Sequence, residues 1–205
     1  MGKNREVKDK DSDEATPYTA KDLFGLIFYL AIIFVIFFCI IKFVGQRTIV
    51  DGSSMETTLQ NGDNLIIDKI SYRFKDPKRY DIIVFPYKYQ KNTDYIKRII
   101  GLPGETVYID SNGKIYINGV VLEEDYGAAK IEDAGMASSP ITLGDDEYFV
   151  MGDNRNHSED SRFSDVGLIK KSDIIGRAWV RIYPFNRICT LGPKHHGSFT
   201  VKSYE

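Results

Sequence analysis

A serine in a polar turn, a lysine on an apolar strand and a loop dense in acids and arginines are the residues whose types and spacing could do chemistry. The serine lies in Val50-Asp-Gly-Ser-Ser-Met-Glu-Thr-Thr-Leu59. A serine hydroxyl becomes a nucleophile only when a neighbouring base takes its proton. Hydroxyl residues also belong in turns and helix caps, so the Gly-Ser-Ser run alone carries a structural reading equally well. The lysine lies in Asp94-Tyr-Ile-Lys-Arg-Ile-Ile-Gly-Leu-Pro-Gly-Glu105. Strand alternation sends Tyr95, Lys97 and Ile99 to one face and Ile96, Arg98 and Ile100 to the other. A lysine acts as a base near neutral pH only when desolvation brings its pKa down from about 10.4, and an apolar face supplies that. A lysine that snorkels to solvent at a sheet edge is the competing reading.

The loop is Met151-Gly-Asp-Asn-Arg-Asn-His-Ser-Glu-Asp-Ser-Arg162. Arg155 and Arg162 among its acids argue against a cation cage and for internal ion pairs. His157 invites a Ser-His-Asp reading, but its polar surroundings offer no orienting carboxylate, which favours a surface histidine.

These segments need a scaffold, and the residues after Arg47 supply one. Short apolar runs with period-two alternation, rich in Ile, Val, Tyr and Phe, recur at 64–68, 81–85, 95–100, 106–109, 114–117, 147–151 and 174–182. The fold class is mostly β. Asn112-Gly113 marks a hairpin. Residues 123–144, with acids, Gly-Ala-Ala and Ser-Ser-Pro, break the rhythm and read as a surface excursion.

Before this domain, Leu23 to Ile41 carries no charge. At a rise of about 1.5 Å per residue, a helix of that length spans most of a hydrocarbon core of about 30 Å. It reads as one transmembrane helix, kept in the mature protein because no small-x-small exit follows it. The expected organisation is a disordered polar tail over 1–22, an anchor over 23–44, a β domain over 45–190 and a C-terminal tail over 191–205. Lysines and arginines flank both ends of the helix, so charge does not fix its orientation.

The net charge of −2 is spread along all 205 residues and leaves no basic face for a nucleic acid. Two cysteines, Cys39 and Cys189, make neither a disulfide framework nor a zinc cluster.

Taken together, the three segments resemble those of the bacterial type I signal peptidases, from the anchor to about Ile188. Ser-Met-Glu-Thr-Thr-Leu resembles the family's Ser-Met-x-Pro-Thr-Leu box, with Glu56 and Thr57 the departures. Tyr-Ile-Lys-Arg-Ile-Ile-Gly-Leu-Pro-Gly-Glu is similar to its lysine strand, and the 151–162 loop to its Gly-Asp-Asn-Arg-x-x-Ser-x-Asp-Ser-Arg box. The resemblance implies a signal-peptidase-like domain of twisted antiparallel sheets with Ser54 as nucleophile and Lys97 as base. It also implies that Ser158 hydrogen-bonds the lysine amine, that Asp160 and Arg162 pair, and that Asp153 and Arg155 support them. The Ser54 and Gly52 region would form the oxyanion hole, and Met55, Leu59, Tyr95 and Ile96 would surround shallow pockets for small residues.

By the same resemblance the chain sits in the plasma membrane, N-terminus in the cytoplasm and catalytic domain outside. There it would cut signal peptides from exported preproteins after an Ala-x-Ala-like motif. The implied partners are those signal peptides and the lipid bilayer, with no nucleic acid, cofactor or metal, and a monomer is expected. A dedicated peptidase for pilus or surface proteins and a noncatalytic signal-peptide or pilin-binding homologue are the alternatives. A self-cleaving Ser-Lys repressor would need a DNA-binding module where this chain has a membrane helix.

Overall fold

The computed structural model describes residues 20–39 and 45–193. They form two compact units, the helix and the β domain. The helix, α1 (Ala20–Cys39), starts three residues before the uncharged run, because Lys21 and Asp22 are compatible with a first helical turn. Its large apolar side chains from Leu23 to Phe38 are all solvent-facing within the chain, with no polar stripe. Such a surface requires lipid or another protein around it. The expected tail over 1–19, the end of the anchor over 40–44 and the C-terminal residues from 194 lie outside the described residues.

The β domain has twelve strands: β1 (Gly45–Ile49), β2 (Asn64–Asp68), β3 (Ile82–Pro86), β4 (Asp94–Gly101), β5 (Thr106–Ile109), β6 (Ile115–Ile117), β7 (Val120–Val121), β8 (Ile141–Thr142), β9 (Glu147–Met151), β10 (Ile169–Lys170), β11 (Gly176–Tyr183) and β12 (Cys189–Thr190). The larger sheet runs β1-β2-β11-β3-β4-β9-β10, with β12 on β11, and the smaller runs β7-β6-β5-β8. Every pairing is antiparallel. The mostly β reading of the sequence therefore holds.

Alternation accounts for how the core divides. On β3, Ile82 and Val84 join one apolar cluster with Leu65, Ile67 and Ala178, while Ile83 and Phe85 join another with Ile99 and Val150. Both faces of this central strand are covered, which is why it reads as a continuous apolar run. A third cluster joins Ile100, Phe149 and Met151 to the smaller sheet through Val107, Ile109, Ile115 and Ile117.

Both Asn-Gly pairs turn the chain. Asp110 closes the β5–β6 hairpin by accepting N–H bonds from Asn112 and Lys114, each at 2.9 Å. Asn118 and Gly119, at φ 52° and 81°, make the two-residue turn from β6 to β7.

The stretch 123–144, expected as a surface excursion, is mostly exposed, with a few side chains turned inward. Tyr126, Ile131, Ala137 and Leu143 from this stretch are buried. Glu124 and the Asp133 carbonyl meet Arg155 and Arg162 of the 151–162 loop.

Candidate active site

The nucleophile segment folds as a short helical turn after Ser53: Glu56 N–H bonds Ser53 O at 3.0 Å and Leu59 N–H bonds Met55 O at 2.8 Å. The four-residue spacing places Met55 and Leu59 on the inner face, where they are 1% and 0% exposed in the apolar core. They anchor the turn from its buried side and are not among the residues lining the cleft. Tyr95 and Ile96 do line it, together with Asp51, Gly52, Ser53, Ser54, Asp94, Lys97, His157 and Glu159, around about 230 Å³. His157 is exposed, as a surface histidine would be, and stands at this rim.

Across the cleft β4 presents Lys97, 3% exposed. Its Nζ lies 2.6 Å from Ser54 Oγ and 5.0 Å from the centre of the Tyr95 ring. Burial pushes the amine down to about 8; the nearby carboxylates of Asp160 and Glu159 oppose the shift without cancelling it. The result is a hydroxyl held against an amine that loses its proton close to neutral pH.

The 151–162 loop closes the third side. Asp160 and Arg162 pair as expected, through Nε to Oδ1 at 2.8 Å and Nη2 to Oδ2 at 2.9 Å. Asp153 and Arg155 do not pair with each other. Asp153 takes two bonds from Arg98, at 2.8 and 2.6 Å, and Arg155 lies 2.7 Å from Glu124. Sequence reading assigned no role to Arg98 or Glu124, since nothing local marks their partners.

Asn154, also unassigned, ties the loop to the nucleophile turn: its N–H bonds Ser54 O at 3.0 Å and its side-chain amide donates to Ser53 O at 3.2 Å. The expected Ser158–Lys97 hydrogen bond is not formed. Ser158 Oγ is buried without a partner among the described residues. It packs closely against Gly152.

Gly52 also departs from expectation. It sits at φ 114° and its N–H donates to Asn61 Oδ1 at 3.1 Å, so this donor is already engaged. Ser54 N–H has no hydrogen-bond acceptor among the described residues, which leaves it available to an incoming oxygen.

Gly152 has no room for a side chain. A Cβ there would fall well inside contact distance of Ser54 O, a backbone atom, and of Ser158 Oγ. Gly152→Ala must therefore move the nucleophile turn, and activity at this site is expected to fall by about 100-fold, as for an ångström-scale misplacement. Steady-state kinetics on the folded variant check this, and activity within threefold of wild type would contradict it.

Comparison with known proteins gives the family. Residues 23–183 match the model of the family described as signal peptidase, peptidase S26. A probable signal peptidase I-2 of Synechocystis is 44% identical over 73% of this chain and 68% of its own length. The signal peptidase I of Leptolyngbya laminosa is 44% identical over 74% and 75%, and signal peptidase I P of Bacillus subtilis subsp. natto 37% identical over 78% and 88%. A solved signal peptidase I from Enterococcus faecalis is 39% identical, with a TM-score of 0.42 over 50% of this chain and 97% of that one. On the matched family and these relatives, this chain belongs to the S26 signal peptidases, a family of serine endopeptidases.

Proposed function

We propose that this chain is a membrane-anchored signal peptidase I that cuts signal peptides from exported preproteins after an Ala-x-Ala-like motif, using Ser54 and Lys97. The observation that carries this reading is the 2.6 Å contact between Ser54 Oγ and a buried amine whose pKa is pushed down to about 8. Neutral Lys97 takes the Ser54 proton, and the alkoxide attacks the scissile carbonyl. Ser54 N–H donates to the oxyanion. Lys97, now protonated, gives its proton to the leaving amine, so the C–N bond breaks as the acyl-serine ester remains. Water then attacks the ester with Lys97 again taking a proton, which frees Ser54 and the new carboxylate.

Substrate in this reading lies as an added strand against Tyr95 and Ile96, with main-chain bonds supplying affinity. A second hollow of about 340 Å³, between Thr48–Asp51 and Asn92–Ile96, continues the cleft along that direction. The helix spans the plasma membrane once, with its N-terminus in the cytoplasm and the β domain outside, working as a monomer at the bilayer surface. That topology follows the family resemblance and suits substrates that are themselves held by an apolar helix.

The test is cleavage of a membrane-inserted preprotein ending in Ala-x-Ala by the detergent-solubilised full chain. Ser54→Ala is expected to lower kcat/KM by at least about 10³-fold. Because the base works only when neutral, wild-type kcat/KM is expected to rise with pH up to about 8 and then level. A folded wild type that leaves the preprotein intact, or a Ser54→Ala variant that still cuts it, would overturn the proposal.

A further inference from the structure

The stretch from Glu124 to Gly135 contains no strand and contributes nothing to the cleft lining, yet it is fastened to the 151–162 loop at point after point. Glu124 begins the attachment. One of its carboxylate oxygens accepts the Tyr126 N–H at 2.8 Å and the other lies 2.7 Å from Arg155 Nη2. Ala128 N–H then bonds Asp153 O at 3.0 Å, and Arg162 donates to Asp133 O at 2.9 Å.

Tyr126 reaches furthest. It is 2% exposed and its ring lies over the Arg98 guanidinium, 3.7 Å from ring centre to Cζ. Around its edge that guanidinium holds Asp153 of the loop, Thr58 of the nucleophile turn at 3.2 Å and Tyr80 O at 2.9 Å. Arg98 is the residue after Lys97 on β4, so one side chain joins the three pieces of the site. Tyr126 covers one face of it, and both residues border a hollow of about 320 Å³.

We propose that Glu124 and Tyr126 are positioning residues for peptide cleavage, a strap that fixes Arg98 and the loop and so holds the Lys97 amine dry and within reach of Ser54. The proposal rests on the reading of Ser54 and Lys97 as the reacting pair. Neither strap residue is placed to touch substrate. Both act through Arg98 and Arg155, and a cation stacked on a ring and shielded from water is held more firmly than one left wet.

The groups facing the Lys97 amine set what loosening the strap does. The charges of Asp160, Glu159, Arg162 and Asp153 act on it from the loop, Tyr95 faces it from its own strand and Ser54 from the turn, with Asp51, Asp94 and His157 at the cleft rim. Burial is the largest influence on the amine. A loop that lifts away rehydrates Lys97, and the acid limb of the activity profile moves to higher pH.

Tyr126→Leu, Tyr126→Phe and Glu124→Gln in the full chain, assayed for kcat and KM against pH on the preprotein, test this. Tyr126→Leu is expected to lower kcat by about 10- to 100-fold, leave KM within about twofold and raise the midpoint of the acid limb by about one pH unit. Tyr126→Phe, which keeps the stacked ring, is expected to recover most of kcat and the wild-type limb. Glu124→Gln keeps the ring in place and is expected to shift kcat and the limb in the same direction by a smaller factor, so it carries the test if Tyr126→Leu does not fold. A folded Tyr126→Leu with wild-type kcat and limb, a loss confined to KM, or a Phe variant as poor as Leu overturns the strap. Ser54→Ala run alongside separates the two readings: if it retains activity the reacting pair is wrong, and if it is inactive while Tyr126→Leu and Glu124→Gln behave as wild type, only the strap falls.

Discussion

Lys97→Met is expected to lower kcat/KM by at least about 10³-fold and, at neutral pH, to make the folded protein more stable than wild type. Methionine fills similar volume with no polar group, so the proton acceptor is lost while the packing on β4 is kept. The stability gain follows from linkage. The folded amine has a pKa of about 8 and the unfolded one 10.5. Below about pH 8 both states hold the proton, and folding carries the full penalty of burying a charged amine, about 3 kcal/mol. Between 8 and 10.5 the folded state sheds its proton first, the penalty shrinks as pH rises, and above 10.5 it is gone. The methionine variant is therefore expected to melt higher than wild type at pH 7, with the difference closing toward pH 10. Paired thermal melts of the solubilised chains measure this, and equal melting at pH 7 would show that the amine is not desolvated.

The second large effect concerns stability more than chemistry. Arg98 and Asp153, with side chains 1% and 0% exposed, form a fully buried two-bond pair. Removing one partner strands the other charge out of reach of water, so Asp153→Ala is expected to cost about 3–5 kcal/mol. Arg98→Met together with Asp153→Ala removes both charges and is expected to be more stable than Asp153→Ala alone. The exposed pair Lys171–Asp76 is the contrast: Asp76→Ala is expected to change stability by no more than about 1 kcal/mol. Urea unfolding of the four chains gives the comparison. An Asp153→Ala loss no larger than that of Asp76→Ala would mean the buried pair is wet.

Much of this arrangement was legible in the chain. Strand alternation put Tyr95, Lys97 and Ile99 on one face, and Tyr95 and Ile99 indeed pack in one cluster while Ile96 packs in another. The β segments were readable because their period is local, and so were the three boxes, each contiguous in sequence. Partners far apart in the chain were not. Arg98 meets Asp153 across 55 positions, and Arg155 could have paired with any of several acids closer to it than Glu124.

The inward contacts of Glu124 and Tyr126 were hidden for the same reason, since an acid reads as surface until the arginine it meets is known. Met55 and Leu59 carried a signal that was missed: apolar residues four apart after a cap-like serine mark the buried side of a helical turn. The glycine at 52 permits its positive φ, but nothing local names Asn61 as the acceptor that engages its amide.

Lys97 and Arg98 stand side by side on β4, aligned with Ile83 and Ile82 of β3, one cation able to lose its proton near pH 8 and the other permanently charged. A slip of one residue in that pairing would turn every side chain of the strand to the opposite face. In one direction it would deliver to the serine a guanidinium that cannot lose its proton and set Ile99 against Asp153; in the other it would set Ile96 at the serine and leave Asp153 facing a single amine in place of a two-pronged partner. A misaligned chain is thus both inert and poorly held together, so the adjacency acts as an assembly check that keeps wrongly registered copies from becoming a loosely specific protease.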